Sequence, residues 1–180
     1  MAANNPAKTG VGTNSQLDRT APTPQKITTF LWFNDNAEEA AKFYVSVFKN
    51  SRIITAVPHL EGVPGPSAGV LTIDFELDGQ RFTGLNGGPQ FEFTEAISLV
   101  VNCQNQEEVD YFWKKLSEGG QEVECGWVKD KFGLSWQIVP AVLWEFLQSG
   151  DKQKSQRVMQ AVMTMKKLDI EGLKKAAAGK

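Results

Sequence analysis

One nine-residue pattern occurs twice in this chain, and the repeat limits the folds open to it. Residues 36–44 read Asn36-Ala37-Glu38-Glu39-Ala40-Ala41-Lys42-Phe43-Tyr44. Residues 105–113 read Asn105-Gln106-Glu107-Glu108-Val109-Asp110-Tyr111-Phe112-Trp113. Each follows an apolar run, Ile27–Phe33 in the first case and Ala96–Val101 in the second. The pattern is that of a helix start. Asn at the N-cap offers its side-chain oxygen to the free N–H groups of the first turn. The Glu pair stands where the helix dipole favours negative charge, with its second member at the capping-box position. Phe43-Tyr44 and Phe112-Trp113 then present an aromatic face to whatever lies beneath. A strand running into such a helix opens a βα unit, and its return 69 residues later points to a duplicated fold.

The flanking segments extend the duplication. Residues 1–25 are polar and rich in Asn, Thr and Pro, the composition of a flexible tail. A first module covers 26–94: strand Ile27–Phe33, helix 36–49, strand Ser51–Val57, a Pro/Gly-rich loop Pro58–Gly69, then strands Val70–Leu77 and Gln80–Leu85. The last two meet at Asp78-Gly79, a dipeptide favoured in tight hairpins. A second module covers 95–140: strand Glu95–Val101, helix 105–118 stopped by Gly119-Gly120, and strands near Glu122–Glu124, Gly126–Lys129 and Leu134–Val139. The expected class is α+β, two βαβββ modules in tandem. Residues 141–180 turn helical, as Ala141–Gln148, Asp151–Lys167 and Asp169–Ala178; Val158, Ala161, Val162 and Met165 form an apolar stripe.

Composition removes several classes of function. A net charge of −2 supplies no basic field for nucleic acid or anionic membrane. No apolar run reaches the ~20 residues of a membrane span, and the N-terminus lacks a secretory h-region, so a cytoplasmic protein is expected. Cys103 and Cys125, in no motif spacing, read as reduced thiols. His59, the single histidine, falls in the Pro/Gly-rich loop and reads as solvent-exposed, and no Ser-His-Asp or Cys-His set forms without it. Asp74, Glu76, Glu92 and Glu95 read as solvated strand-edge acids, although a carboxylate aimed into a dry cavity can serve as a base.

The module order resembles the vicinal oxygen chelate superfamily of glyoxalases, extradiol dioxygenases and fosfomycin and bleomycin resistance proteins. Four stretches resemble its PhnB-like branch, labelled demethylubiquinone methyltransferase-like: Phe30-Leu31-Trp32-Phe33 followed by 37–44, Asn86-Gly87-Gly88-Pro89, the run 130–140, and Arg157–Ala161 with Met165–Ile170. The resemblance implies paired concave sheets with a ligand or metal between them. The superfamily's metal positions fall on Thr28 or Thr29 (Phe30 if the register slips), Ser98 flanked by Ile97 and Leu99, Thr83 or Leu85, and Gln137. These are not the imidazole, carboxylate or thiolate groups that hold a divalent ion, so no metal and no other cofactor is expected. Methyl transfer from S-adenosylmethionine in the common way needs a glycine-rich strand-to-helix turn, and the turn here is Asn34-Asp35-Asn36.

Phe30, Trp32, Trp127 and Trp136 lie on strands, one face of which looks into the cavity in such a fold. They read either as core or, for Phe30, Trp32 and Trp127 with Asn86, Ser98 and Gln137 as polar orienters, as the lining of a small-molecule pocket. The leading expectation is a metal-free homodimer that binds a small organic molecule between its sheets. An enzyme using the same cavity for lyase, isomerase or transferase chemistry is one alternative. A dimeric interaction module with a filled cavity is the other.

Overall fold

The computed structural model describes residues 25–62 and 69–180. The tail expected over 1–25 therefore lies outside the described residues up to residue 24, and so does the centre of the Pro/Gly-rich loop. The first half runs β1 (Thr29–Phe33), α1 (Ala37–Val47), β2 (Arg52–Pro58), β3 (Val70–Leu77) and β4 (Gln80–Asn86). The second repeats the order with β5 (Leu99–Cys103), α2 (Gln106–Ser117), β6 (Gln121–Glu122), β7 (Trp127–Lys129) and β8 (Ser135–Pro140). Three helices follow: α3 (Ala141–Leu147), α4 (Lys152–Val162) and α5 (Ile170–Ala177).

Each half forms its own four-stranded sheet, ordered β1-β4-β3-β2 and β5-β8-β7-β6. In both, the first strand lies parallel to the last and the other pairings are antiparallel. Asp78 and Gly79 both take positive φ, the requirement of the primed turn that closes a two-residue hairpin.

Alternation along the strands decides what each sheet buries. Leu31, Phe33, Ile73, Phe75, Leu77 and Phe82 point inward from the first sheet; Val101, Cys103, Val128, Trp136 and Ile138 do so from the second. All of them, with α1 and α2, belong to one core. Tyr44 on α1 joins the halves, stacked on Phe75 of the first sheet and tilted against Trp136 of the second. Phe48 stacks on both Phe112 and Trp136. At Gly84, an added Cβ would meet Ile73 at 3.2 Å and Ala37 at 3.3 Å, so glycine lets the start of α1 lie close on β4.

Several boundaries differ from the sequence reading. β5 begins at Leu99, not Glu95, because only Leu99–Cys103 finds partners on β8. The helix expected over Asp151–Lys167 ends at Val162. The carbonyls of Met165 and Lys166 beyond it instead accept the N–H groups of Cys125 and Gly126, both at 2.7 Å. This holds a turn in which both residues have positive φ. The C-terminal helices build a second cluster around Leu143, Val158, Val162, Leu168 and Leu173, which closes on Val139.

The repeated caps also differ. Asn105 accepts the Glu108 N–H at 2.9 Å, and the Glu108 carboxylate takes the Gln104 N–H at 2.8 Å. Asn36 makes no side-chain cap, because its backbone is not in the extended region that aims a capping oxygen into the first turn. The Ala37 N–H goes to the side chain of Asn86 at 2.8 Å.

Candidate functional site

The outer faces of the sheets carry most of the side chains singled out from the sequence. On β1, Phe30 and Trp32 alternate outward between the buried Leu31 and Phe33, and Phe30 is 58% exposed. Across the parallel pairing they lie opposite Thr83 and Leu85 of β4. Trp32 is fixed in place: its indole N–H donates to the Gly88 carbonyl at 2.9 Å, and its ring meets Phe91 edge-on at 5.0 Å. The indole lies so close over Gly87 that a Cβ there would come within 2.3 Å of it. Gly87 and Gly88 are thus the seat of Trp32.

On the second sheet, Gln137 donates to the Ser98 hydroxyl at 2.8 Å. Gln137 stands opposite Val100 on one side and Trp127 on the other. Ser98, Trp127 and Gln137 therefore share one outer face. Lys129, two residues from Trp127 on the same face, is ion-paired with Glu95. That contact holds the Glu95 carboxyl below its ordinary range, chiefly through the hydrogen bond from Lys129.

Two candidates turn the other way. Asn86 is buried, accepting from Ala37 and donating to the Val70 carbonyl at 2.8 Å, so its amide secures α1 and β3 and does not orient a ligand. Trp136 is buried on the helix side, where its indole N–H donates to Asp130 at 2.8 Å. Within one chain, the space between the sheets is filled by α1, α2 and the common core. The remaining five candidates line two separate outward faces and not one enclosed cavity.

Sequence reasoning missed the role of Asp130. This buried carboxylate accepts from the Tyr44 hydroxyl at 2.7 Å and Trp136 at 2.8 Å, and from the backbone N–H groups of Phe132 at 2.9 Å and Leu134 at 3.0 Å. Burial pushes its pKa up against the pull of those donors. Burial first, then the Asp130 charge, holds the Tyr44 hydroxyl well above the ordinary tyrosine value. The available signal was Tyr44 itself: a tyrosine on the buried face of a helix needs an acceptor for its O–H. The reading of His59 also changes, since its Nε2 is buried without a hydrogen-bond partner among the described residues. Cys103 is inert by position; burial, then the Glu108 charge, pushes its thiol up to about 12.

The superfamily's metal positions do not fit a divalent cation here. Ser98 and Gln137 offer a hydroxyl and an amide, the Gln137 N–H donating to the Ser98 hydroxyl, while Thr83 donates to Asp74 at 2.7 Å and Leu85 has no ligating atom. Among the described residues no three His, Cys, Asp or Glu side chains converge as a ligand set. No chemical step is assigned to a metal. A surface groove of about 300 Å³ lies elsewhere, between Asn105 at the start of α2 and Asp169–Lys174 of α5.

Two four-stranded sheets of identical strand order, each with one helix on its inner side and an open outer face, define a paired βαβββ protein of the glyoxalase-like class. The chain belongs to the 3-demethylubiquinone-9 3-methyltransferase family, whose sequence profile matches residues 25–139. A solved Bacillus cereus structure, described as a putative 3-demethylubiquinone-9 3-methyltransferase, PhnB protein, is 39% identical. It covers 65% of this chain and 100% of its own, with a TM-score of 0.60. Protein PA1353 from Pseudomonas aeruginosa is 18% identical over 65% of this chain and 98% of its own, with a TM-score of 0.54, and shares the fold. No curated protein matches the sequence. Among the described residues no helix is long and apolar enough to cross a membrane.

Proposed function

We propose that this PhnB-like protein binds a small organic molecule between the outer face of its first sheet and the outer face of a second sheet supplied by another copy of the chain. The observation that carries the reading is the exposure of two aromatic-and-polar faces on either side of one filled core. Phe30, Trp32 and Thr83 furnish one face; Ser98, Trp127 and Gln137 furnish the other. Sheets that face water normally alternate apolar-in with polar-out, so exposed Phe30 and Val100 in mid-strand call for a covering surface. A site walled by aromatic rings with a few convergent polar groups is the common composition of a ligand pocket. The first sheet's face presents rings and hydroxyls, the second an amide–hydroxyl pair, and together they suit a neutral or singly charged organic molecule. Binding is the function so supported. No reaction is assigned.

Thermal melting of the full chain against a panel of metabolites and antibiotics tests this. At least one compound raises the melting temperature, and Trp32→Ala and Trp127→Ala each remove that rise by taking away opposite walls of the site. Indifference of the wild-type chain to every compound, or a rise that survives both substitutions, contradicts the proposal.

A further inference from the structure

The outer face of the first sheet resolves into three rows when the register is followed from strand to strand, because directly opposed residues share a face. Arg81, Glu76 and Arg52 form the first row. Phe30, Thr83, Asp74 and Thr55 form the second. Trp32, Leu85, Thr72 and Val57 form the third. The face thus grades from charged to aromatic and aliphatic across three rows, with one carboxylate at the boundary.

The two acids on this face are held differently. Glu76 is bracketed by cations, with Arg52 at 3.3 Å and Arg81 at 3.9 Å. Asp74 has no Lys or Arg within ion-pair reach among the described residues, and one oxygen alone is engaged, by the Thr83 hydroxyl at 2.7 Å. The hydroxyl fixes the carboxylate's orientation and leaves the second oxygen free. Phe30 stands in the same row two strands away, beyond Thr83, its exposed ring offering an aromatic face to the body of a molecule held at the carboxylate. The opposing face does not supply the missing charge, because Lys129 is already paired with Glu95. The surrounding field has the same sign as Asp74: residues 26–140 hold nine basic and sixteen acidic side chains.

We infer that Asp74 receives the cationic nitrogen of the ligand, an ammonium, amidinium or guanidinium group, while the ligand's organic body lies along Phe30, Trp32 and Leu85. This rests on the pocket proposed above and names the class of molecule that pocket takes. A charge-assisted hydrogen bond in a covered site is worth more than one in water, so the carboxylate discriminates sharply between a cation and its neutral isostere.

Benzamidine and benzamide share a ring and a shape and differ in charge, and titration of each into the isotopically labelled full chain, followed by amide NMR, separates the outcomes. Benzamidine shifts the amides of Phe30, Asp74 and Thr83 and binds more tightly than benzamide. Asp74→Asn lowers benzamidine affinity by about tenfold or more and changes benzamide binding far less, while amide shifts unaltered away from Asp74 show that the variant is folded. Equal binding of both probes by the wild-type chain overturns the cation assignment and leaves the pocket standing. A preference for benzamidine that survives Asp74→Asn overturns it as well. Silence of these amides towards both probes overturns the assignment, and the metabolite panel then decides separately whether the pocket stands.

Discussion

The two copies of the Asn-x-Glu-Glu helix start have the same spelling and different uses. In the second half the cap is local: Asn105 and Glu108 serve their own helix, and the Trp113 indole donates to Glu122 at 2.8 Å on the neighbouring strand of its own sheet. In the first half the corresponding contacts reach further, apart from Glu38, which pairs with Lys42 on its own helix. The cap comes from Asn86 at the end of β4, Glu39 pairs with Lys131 of the other half, and Tyr44 donates to Asp130 across the junction. The cap of the second copy serves its own module, but that copy's Tyr111 hydroxyl also donates to the Val47 carbonyl of the first module at 2.9 Å. Both copies help fasten the modules, the first through the buried Asp130. Duplication supplied the pattern, and the polar tips of its aromatic residues find different partners in the two halves. The fastening also explains why the outer faces remain open, since helix sides that share a core cannot leave the sheets facing each other.

The largest effect expected from this contrast is at the two acids beneath the aromatic tips. Asp130→Ala strands the buried Tyr44 hydroxyl and Trp136 indole N–H together with two backbone donors, and costs about 3–5 kcal/mol in urea unfolding. Glu122→Ala removes the partner of Trp113 at an exposed position and costs less than about 1 kcal/mol. Equal costs would erase the distinction between a buried acid that bridges the modules and an exposed one that serves its own. The caps give a smaller contrast. Asn86→Ala costs about 2 kcal/mol, because it frees a helix N–H and the buried Val70 carbonyl at once; Asn105→Ala costs about 1 kcal/mol, the usual loss of an exposed cap. Asn36→Ala, at the position equivalent to Asn105, leaves stability nearly unchanged.

The gentlest probe is pH. Tyr44 is raised above its ordinary value by burial and by Asp130, and Cys103 is raised to about 12 by burial and by Glu108. Both groups are neutral at physiological pH in the folded and the unfolded chain, so their contributions are fully present there. The unfolded thiol ionises near pH 8.5 and the unfolded phenol near pH 10, while the folded chain holds both neutral. Stability therefore falls as pH rises from about 8.5 towards 12. In Tyr44→Phe the phenol's share of this fall, which sets in above about pH 10, is lost while the thiol's share remains, and an unchanged alkaline profile in that variant would deny Tyr44 its buried role.

Much of this was legible in the sequence, for definite reasons. Hydrophobic alternation, the Asp78-Gly79 turn and the two helix starts each have a short-range physical cause, so the βαβββ order and the composition of both sheets followed from them. Alternation also separates Phe30 and Trp32 from Leu31 and Phe33, but it does not decide which of the two sets takes the core side. What depended on contacts across the chain did not follow. Asn86 reads as a pocket residue beside two glycines, and only the packing of α1 on β4 turns it into a cap. Trp136 could not be assigned a face until β7 and β8 were in register. Asp130 reads as a turn residue, and its place under Tyr44 is set by how the modules meet. The relation between the sheets was the largest such miss: two concave modules suggest one hollow between them, whereas α1 and α2 occupy that space.

The account rests on the outer faces being covered by a second copy, and the mass of the chain in dilute solution tests this most directly. Sedimentation equilibrium is expected to give twice the 19.9 kDa chain mass, and Phe30→Asp, which places a charge in the middle of the covered face, is expected to return the single-chain value with the fold intact. A wild-type chain of 19.9 kDa at every concentration, or a dimer indifferent to Phe30→Asp, would contradict it.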